Sequence, residues 1–286
     1  MNRVILAGAA VILTAGSALA ADLAVKAAPP PPPPPLWAGP FVGVGIGFVT
    51  GNTSNDVSGK DLFCAGGTAV CSTSTSQQYF FAPTNNSNNK GSFAGGLQFG
   101  YNYEFDPRFV LGGVVDFTAF DRSSDTSFTS PPVPVGTNTT ETRSFTESIK
   151  NDWLVTLRLR GGPTFDRLWI YGTGGLALAD LRSSSSSVTT WTNPLAPPPQ
   201  IAASGSGSTS GVALGYVVGA GAEYKISPEW SIFGEYLYYS VRRSYSVVVS
   251  PNTALTGITG SASYGVDAKV DGSLVKIGLN YAFRAH

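Results

Sequence analysis

The sequence predicts an all-β fold: an eight-stranded antiparallel transmembrane up-and-down β-barrel with short periplasmic turns and long extracellular loops. Three observations carry this. Eight stretches, each about nine to thirteen residues long, alternate apolar with polar or small side chains, and that length suits a tilted strand crossing a bilayer. The links between them are short and long by strict turns, which puts every short turn at one end of a hairpin series and every long link at the other. Of 286 residues only 13% are charged, while glycine reaches 34 and proline 20, a composition poor in helix formers and rich in turn and strand residues. The 18 basic and 18 acidic residues cancel, so no net charge attracts nucleic acid, and no residue cluster calls for a cofactor.

Residues 1–20 read as a secretory signal peptide. Asn2 and Arg3 precede an apolar stretch, 4–15, too short to span a bilayer as a helix, and Ala18-Leu19-Ala20 gives a small-x-small cleavage pattern. Residues 21–36 form a proline-rich periplasmic linker whose unbroken run 29–35 is a stiff polyproline II rod of about 3.1 Å per residue. It is a plain spacer or a tether to the cell wall. Residues 37–286 carry the barrel.

The strands follow in order. PFVGVGIGF sets Val42, Val44, Ile46 and Phe48 against glycines. SFAGGLQFGYNYEF sets Phe93, Leu97, Phe99, Tyr101, Tyr103 and Phe105 against Gln98, Asn102 and Glu104. RFVLGGVVDFTAF opposes Leu111, Val115 and Phe117 to Asp116 and Thr118, and WLVTLRLRGGPTF opposes Trp153, Val155, Leu157 and Leu159 to Thr156, Arg158 and Arg160. LWIYGTGGLALA alternates more weakly, with Leu168, Ile170, Leu176 and Leu178 against Trp169, Tyr171 and Thr173. VALGYVVGAGAEY sets Val212, Leu214, Tyr216 and Val218 against Gly215, Gly219 and Glu223. WSIFGEYLYYS sets Trp230, Ile232 and Tyr236 against Ser231 and Glu235, with Phe233 and Leu237 as apolar exceptions. SLVKIGLNYAF closes the series, with Val275, Ile277, Leu279, Tyr281 and Phe283 opposite Lys276, Gly278 and Asn280.

Three links are tight, at Asp106-Pro107, Asp166-Arg167 and Ser227-Pro228. In the Asp-Pro and Ser-Pro links proline presets φ, and the preceding Asp or Ser side chain can bond the turn backbone. The links 51–91, 121–151, 181–211 and 242–272 are long and polar.

In hydrocarbon every backbone polar group must be paired within the protein, so a sheet that spans must close on itself. The apolar face then meets lipid. Glu104, Asp116, Arg158, Arg160, Glu223, Glu235 and Lys276 turn into the lumen, where buried charges need partners and a packed ionic network is the economical arrangement. The opposite assignment would set Arg158 and Arg160 in lipid at a cost of about 2–4 kcal/mol each. Aromatic residues gather at the two ends as interface girdles: Tyr103, Phe105, Phe165, Trp169, Trp230, Tyr281 and Phe283 near the short turns, Phe48, Phe120 and Trp153 near the long links. The two cysteines, Cys64 and Cys71, lie in one long link. Export points to a local disulfide, worth about 2–3 kcal/mol by chain entropy, and a metal would need further ligands nearby.

Several of these residues carry a resemblance. The Ala-Asp-Leu start after Ala20, the proline linker, Trp37-Ala38-Gly39-Pro40-Phe41-Val42-Gly43, the stretch from Trp153 to Gly161 and Tyr171-Gly172-Thr173-Gly174-Gly175 are similar to small outer-membrane β-barrel proteins of α-proteobacteria, the porin/opacity-type family with RopB-like members. The C-terminal Lys276, Gly278, Tyr281 and Phe283 resemble the assembly signal read by the barrel-assembly machinery, although Arg284-Ala285-His286 follow it here. The resemblance implies residence in the bacterial outer membrane, contact with outer-membrane lipid and lipopolysaccharide, and surface exposure, and it brings no catalytic residues. Three roles follow as expectations. The first is a non-catalytic structural and surface-exposed barrel, with peptidoglycan a partner if the linker is a tether. The second is a small passive porin. The third is a barrel-type lipid-modifying enzyme, for which the sole histidine, His286, lies beyond the last strand and at the wrong end.

Overall fold

The computed structural model describes residues 36–60, 63–65, 71–72, 85–86, 91–106, 108–136, 138–195, 199–252, 258–260 and 262–283. The expected signal peptide and all of the linker but Leu36 lie outside these residues. Eight long strands run through the described part: β1 Gly39–Lys60, β2 Ser92–Asp106, β3 Phe109–Thr129, β4 Thr139–Phe165, β5 Leu168–Thr192, β6 Gln200–Lys225, β7 Trp230–Pro251 and β8 Ala262–Ala282. Each pairs antiparallel with its sequence neighbour, and β8 returns to β1 through 20 register pairs, from Phe41↔Ala282 to Lys60↔Ser263. The sheet is therefore a closed ring of eight strands with no free edge between first and last. Short strands ornament it: Asn85–Asn86 pairs with β1, Val133–Gly136 folds back on β4, and Phe63–Ala65, Cys71–Ser72 and Ile258–Gly260 form a separate small sheet. Cys64 and Cys71 are register partners in that sheet, and their side chains lie outside the described residues.

Local chemistry explains the tight ends. Asp106 Oδ1 accepts the Arg108 amide at 3.0 Å, and Ser227 Oγ accepts the Trp230 amide at 3.1 Å, so each turn backbone is bonded by the side chain that opens it. Asp166 takes a positive φ of 51° in the two-residue link from β4 to β5, a conformation that Asp tolerates better than most residues.

The faces fall as the alternation requires. Val44, Ile46, Leu97, Leu157, Leu159, Val275 and Ile277 point outward and are exposed, while Arg158, Arg160 and Lys276 are each at most 2% exposed inside. Along β2 the outward rings run from Phe93 to Phe105, twelve residue steps apart. At about 3.4 Å per step and a tilt of about 40° this spans about 30 Å, the thickness of a hydrocarbon core. Ring pairs mark both rims. Phe48–Phe93 and Phe117–Trp153 lie at one, Trp230–Tyr281 and Tyr281–Phe283 at the other, with centroids 5.1–6.5 Å apart. Trp169 and Phe120 do not join these girdles. Both are buried inside, because they share the inward parity of Tyr171 and of Asp116.

The strands outrun the membrane. A crossing needs about 9–11 residues, yet β4 has 27 and β6 has 26. Most of the long polar links are thus continuations of the ladders, and the cylinder stands well above the outer rim. Its polarity inverts there. On β8 the inner face runs Asn280, Lys276, Leu274, Val270, Ala268, Val266, from polar to apolar, while the outer face runs Leu279, Ile277, Val275, then Asp271, Lys269 and Asp267. Outside the membrane the solvent is water, so the oily face turns inward and packs Phe145, Ala203, Val247, Val249 and Val266 together. Serines 183, 185 and 187 and Thr189 complete the inner wall of β5.

Glycines give the lumen its room. A Cβ at Gly278 would sit 2.6 Å from the Phe233 ring, one at Gly100 2.5 Å from Phe41, and one at Gly221 2.7 Å from Tyr171. Inward aromatic rings therefore lie over bare backbone at their register partners on the neighbouring strands, which helps to fill a narrow interior.

Candidate functional site

The lumen is built in layers from the periplasmic end. Trp37, just before β1, is tucked into the mouth at 3% exposure. Its backbone amide donates to Glu104 Oε2 at 2.9 Å, its ring meets Trp169 at 5.6 Å, and Lys225 Nζ sits 5.3 Å from the ring centroid. Glu104 is thereby drawn away from the arginines with which the sequence grouped it. It anchors the entering chain at the rim.

Above lies Arg160. Its Nη1 donates to Glu223 at 3.3 Å and its Nη2 to Asn102 Oδ1 at 2.9 Å. The guanidinium carbon is 4.2 Å from the Phe41 ring centroid and 4.6 Å from that of Trp169, so the cation is held by a carboxylate and by two aromatic faces at once. Ser231 Oγ donates to the other oxygen of Glu223 at 2.5 Å.

The next layer joins four strands. Arg158 Nη1 donates to Glu235 at 2.6 Å, Arg158 Nε to Thr156 at 3.0 Å, and Lys276 Nζ binds Asp116. Thr118 Oγ1 donates to the second oxygen of Asp116 at 2.8 Å. Glu235 and Lys276 are register partners on β7 and β8, so the two pairs abut and the charges alternate in sign around the wall. Of the seven sequence-proposed charges, six thus combine into three buried ion pairs, each with further hydrogen bonds, which is what makes a desolvated pair tolerable.

A disc of Val49, Phe120, Leu154, Val217, Leu237 and Leu274 caps this network. Beyond it, at the outer rim, come Arg122, Asn151 and Tyr239, all buried. Higher still, Glu147 accepts from Tyr245 at 3.1 Å and from Ser183 at 3.3 Å. Burial holds the Glu147 carboxyl above its ordinary value, against the lowering effect of these two hydroxyls, and likewise raises the Tyr245 phenol.

The sequence reading did not single out Trp37, Arg122, Glu147 or Lys225 as lumenal. For Arg122 a signal exists: continuing the parity of Asp116 and Thr118 along β3 turns it inward. The C-terminal set divides by face. Tyr281 and Phe283 meet edge to face in the periplasmic girdle, while Lys276 and Gly278 serve the lumen, the first as an ion-pair partner and the second as room for Phe233.

A closed eight-stranded cylinder with an apolar belt, aromatic rims and an ion-paired interior is an integral β-barrel of the bacterial outer membrane. The chain belongs to the outer membrane protein beta-barrel domain family, whose model matches residues 9–283. It is 29% identical over 298 residues to the 31 kDa outer-membrane immunogenic protein of Brucella melitensis, covering 99% of this chain and 100% of the relative, and equally to that of Brucella suis. Among solved structures it is similar to the outer membrane protein OprG from Pseudomonas aeruginosa, at 16% identity and a TM-score of 0.40, covering 87% of this chain and 98% of that one. It is also similar to Neisserial surface protein A, at 10% identity and a TM-score of 0.31, over 86% and 98%.

Proposed function

We propose that the protein is a non-catalytic structural and surface-exposed barrel, in which a sealed lumen supports a stranded extension that meets the surroundings. The observation that carries this reading is the stack of three ion pairs under an apolar disc. An ion crossing the disc would lose its water without gaining a partner, which costs several kcal/mol. The name of the Brucella relatives as immunogenic supports exposure at the surface. Conductance in proteoliposomes tests the reading. The expected outcome is no steady channel, and sustained openings would make the chain the small passive porin of the alternative. Release of fatty acid from lipid by the purified barrel would favour a lipid-modifying enzyme. Hydroxyls that sit beside a carboxylate, such as Ser183 and Tyr245 at Glu147, Ser231 at Glu223 and Thr118 at Asp116, are turned to the lumen and not to lipid.

The partners follow from the same architecture. The outer face contacts membrane lipid and lipopolysaccharide. The barrel-assembly machinery reads Tyr281 and Phe283, whose rings project from the last strand. The linker reaches peptidoglycan, and a pull-down with and without residues 29–35 tests that contact: equal recovery removes it.

A further inference from the structure

We infer that the outer part of the lumen holds a binding site for a small inorganic anion, of the chloride or phosphate class, built on Arg122, Asn151 and Tyr239. Of the other lumenal cations, Arg158, Arg160 and Lys276 each have a carboxylate, and Lys225 donates to the Pro228 carbonyl at 3.2 Å. Arg122 has no carboxylate within ion-pair distance among the described residues, although it is only 6% exposed, and neither its Nη1 nor its Nη2 has a hydrogen-bond partner. Asn151 is its register partner across β3 and β4, is 2% exposed, and leaves both amide atoms unpartnered. The hydroxyl of Tyr239 is fully buried and has the Arg122 guanidinium as its polar neighbour.

These groups converge on one spot. Gly51 and Gly272 are register partners on β1 and β8. A Cβ on Gly51 would lie 2.6 Å from Arg122 Nη1, and one on Gly272 would run into the Tyr239 hydroxyl. Guanidinium and phenol thus meet over a pair of bare glycines, with the Asn151 amide beside Arg122. The surroundings are apolar: Val49, Ile149, Leu181, Val241 and Val270. The nearest inward carboxylate along β4, Glu147, is four residues from Asn151, about 13 Å along the strand, and is bonded to Ser183 and Tyr245.

Most buried cations escape their desolvation cost by giving up a proton. Arginine does not do so in proteins. A guanidinium in an apolar wall therefore needs a counter-charge, and among the described residues the carboxylates at this level, Asp121, Asp152 and Asp271, stand on the other face of the wall, none of them in an ion pair with Arg122. What the chain does supply is a fork of two N–H groups, an amide N–H and a phenolic O–H, the donor set that surrounds a halide or an oxyanion. Asn151 Oδ1 can accept the remaining proton of a hydrogen phosphate.

The test uses the full mature barrel folded in a neutral detergent. The midpoint for loss of its heat-sensitive gel mobility is titrated with sodium chloride or sodium phosphate against sodium gluconate, at constant ionic strength. The midpoint is expected to rise and saturate. Saturation by chloride alone identifies a halide site, and by phosphate alone an oxyanion site. Arg122→Gln should abolish the response, and Arg242→Gln, at an exposed position outside the lumen, should keep it. Tyr239→Phe retains the ring and removes one donor, and should weaken the apparent affinity about tenfold. A wild-type midpoint indifferent to both anions overturns the site. An identical response in Arg122→Gln overturns it too, showing an adventitious ion only. Should Arg122→Gln fail to fold, an unaltered titration in Tyr239→Phe is the overturning result.

Discussion

The part of the cylinder inside the membrane and the part above it share strands, register and parity, yet they are built inside out with respect to each other. Within lipid the outer wall is Val275, Ile277 and Leu279 and the inner wall carries Lys276 paired to Asp116; eight residues along the same strand the outer wall is Asp267 and Lys269 and the inner wall Val266 and Ala268. The backbone has not changed. The medium outside it has. A closed sheet presents one face to whatever surrounds it, and sequence adapts that face to lipid or to water while the other face takes what remains. In the lower part the remainder is charge, which must be neutralised pair by pair. In the upper part it is an apolar core flanked by the serines of β5.

That contrast makes mutational cost depend on height. The largest effect is expected from Glu235→Ala, which strands Arg158 in the lumen and should cost about 3–5 kcal/mol. The double replacement Arg158→Met with Glu235→Met should recover most of it. Denaturant unfolding in lipid vesicles measures both, and a single variant as stable as the parent would show that the lower charges are solvated after all. Next comes Ile277→Arg, expected to cost about 2–4 kcal/mol because the new charge faces hydrocarbon. Ser186→Arg faces outward on the upper ladder, where it should stay within about 0.5 kcal/mol. Equal penalties at the two positions would erase the distinction between the media. The smallest effect is a pH response confined to the upper part. Burial raises the Glu147 carboxyl above 4.5, so the folded chain binds that proton more tightly than the unfolded one. The stabilisation is complete below 4.5 and fades as pH rises through the raised value. Hydrogen exchange of the β4–β5 ladder should therefore be slower in mild acid, and Glu147→Gln should flatten the dependence.

How much of this was legible depends on where the solvent is oil. Alternation such as SLVKIGLNYAF declares both faces, since only one assignment keeps Lys276 out of lipid. The stretch VDAKVDG alternates just as strictly, but with its greasy residues inward. A reading that seeks an oily exterior stops at Gly272 and takes the segment for a loop. The run from Ser183 to Ser187 offers no alternation at all. Its strand state comes from the partners that flank it, β4 and β6. Parity also tells a face but not a direction around the ring. The lumenal charges could be named from sequence, whereas the choice of Glu235 for Arg158 and the diversion of Glu104 to the Trp37 amide depend on which strands stand opposite across the barrel. Trp169 and Phe120 show the same lesson from the other side: nearness to a strand end suggested a rim, and parity sent them in.

The seam between β1 and β8 has a kinetic implication. Its 20 pairs join residues 41–60 to residues 263–282, so nearly the whole chain must be laid down before the first of them can form. Every other junction between long strands joins neighbours in sequence, and loop closure delays distant contacts relative to near ones. The two terminal strands therefore remain with unsatisfied edges until last, the state in which a sheet most readily recruits a foreign strand. A chaperone that shields those two edges, and releases them together, answers the one step in this protein's assembly that its own hairpins do not speed.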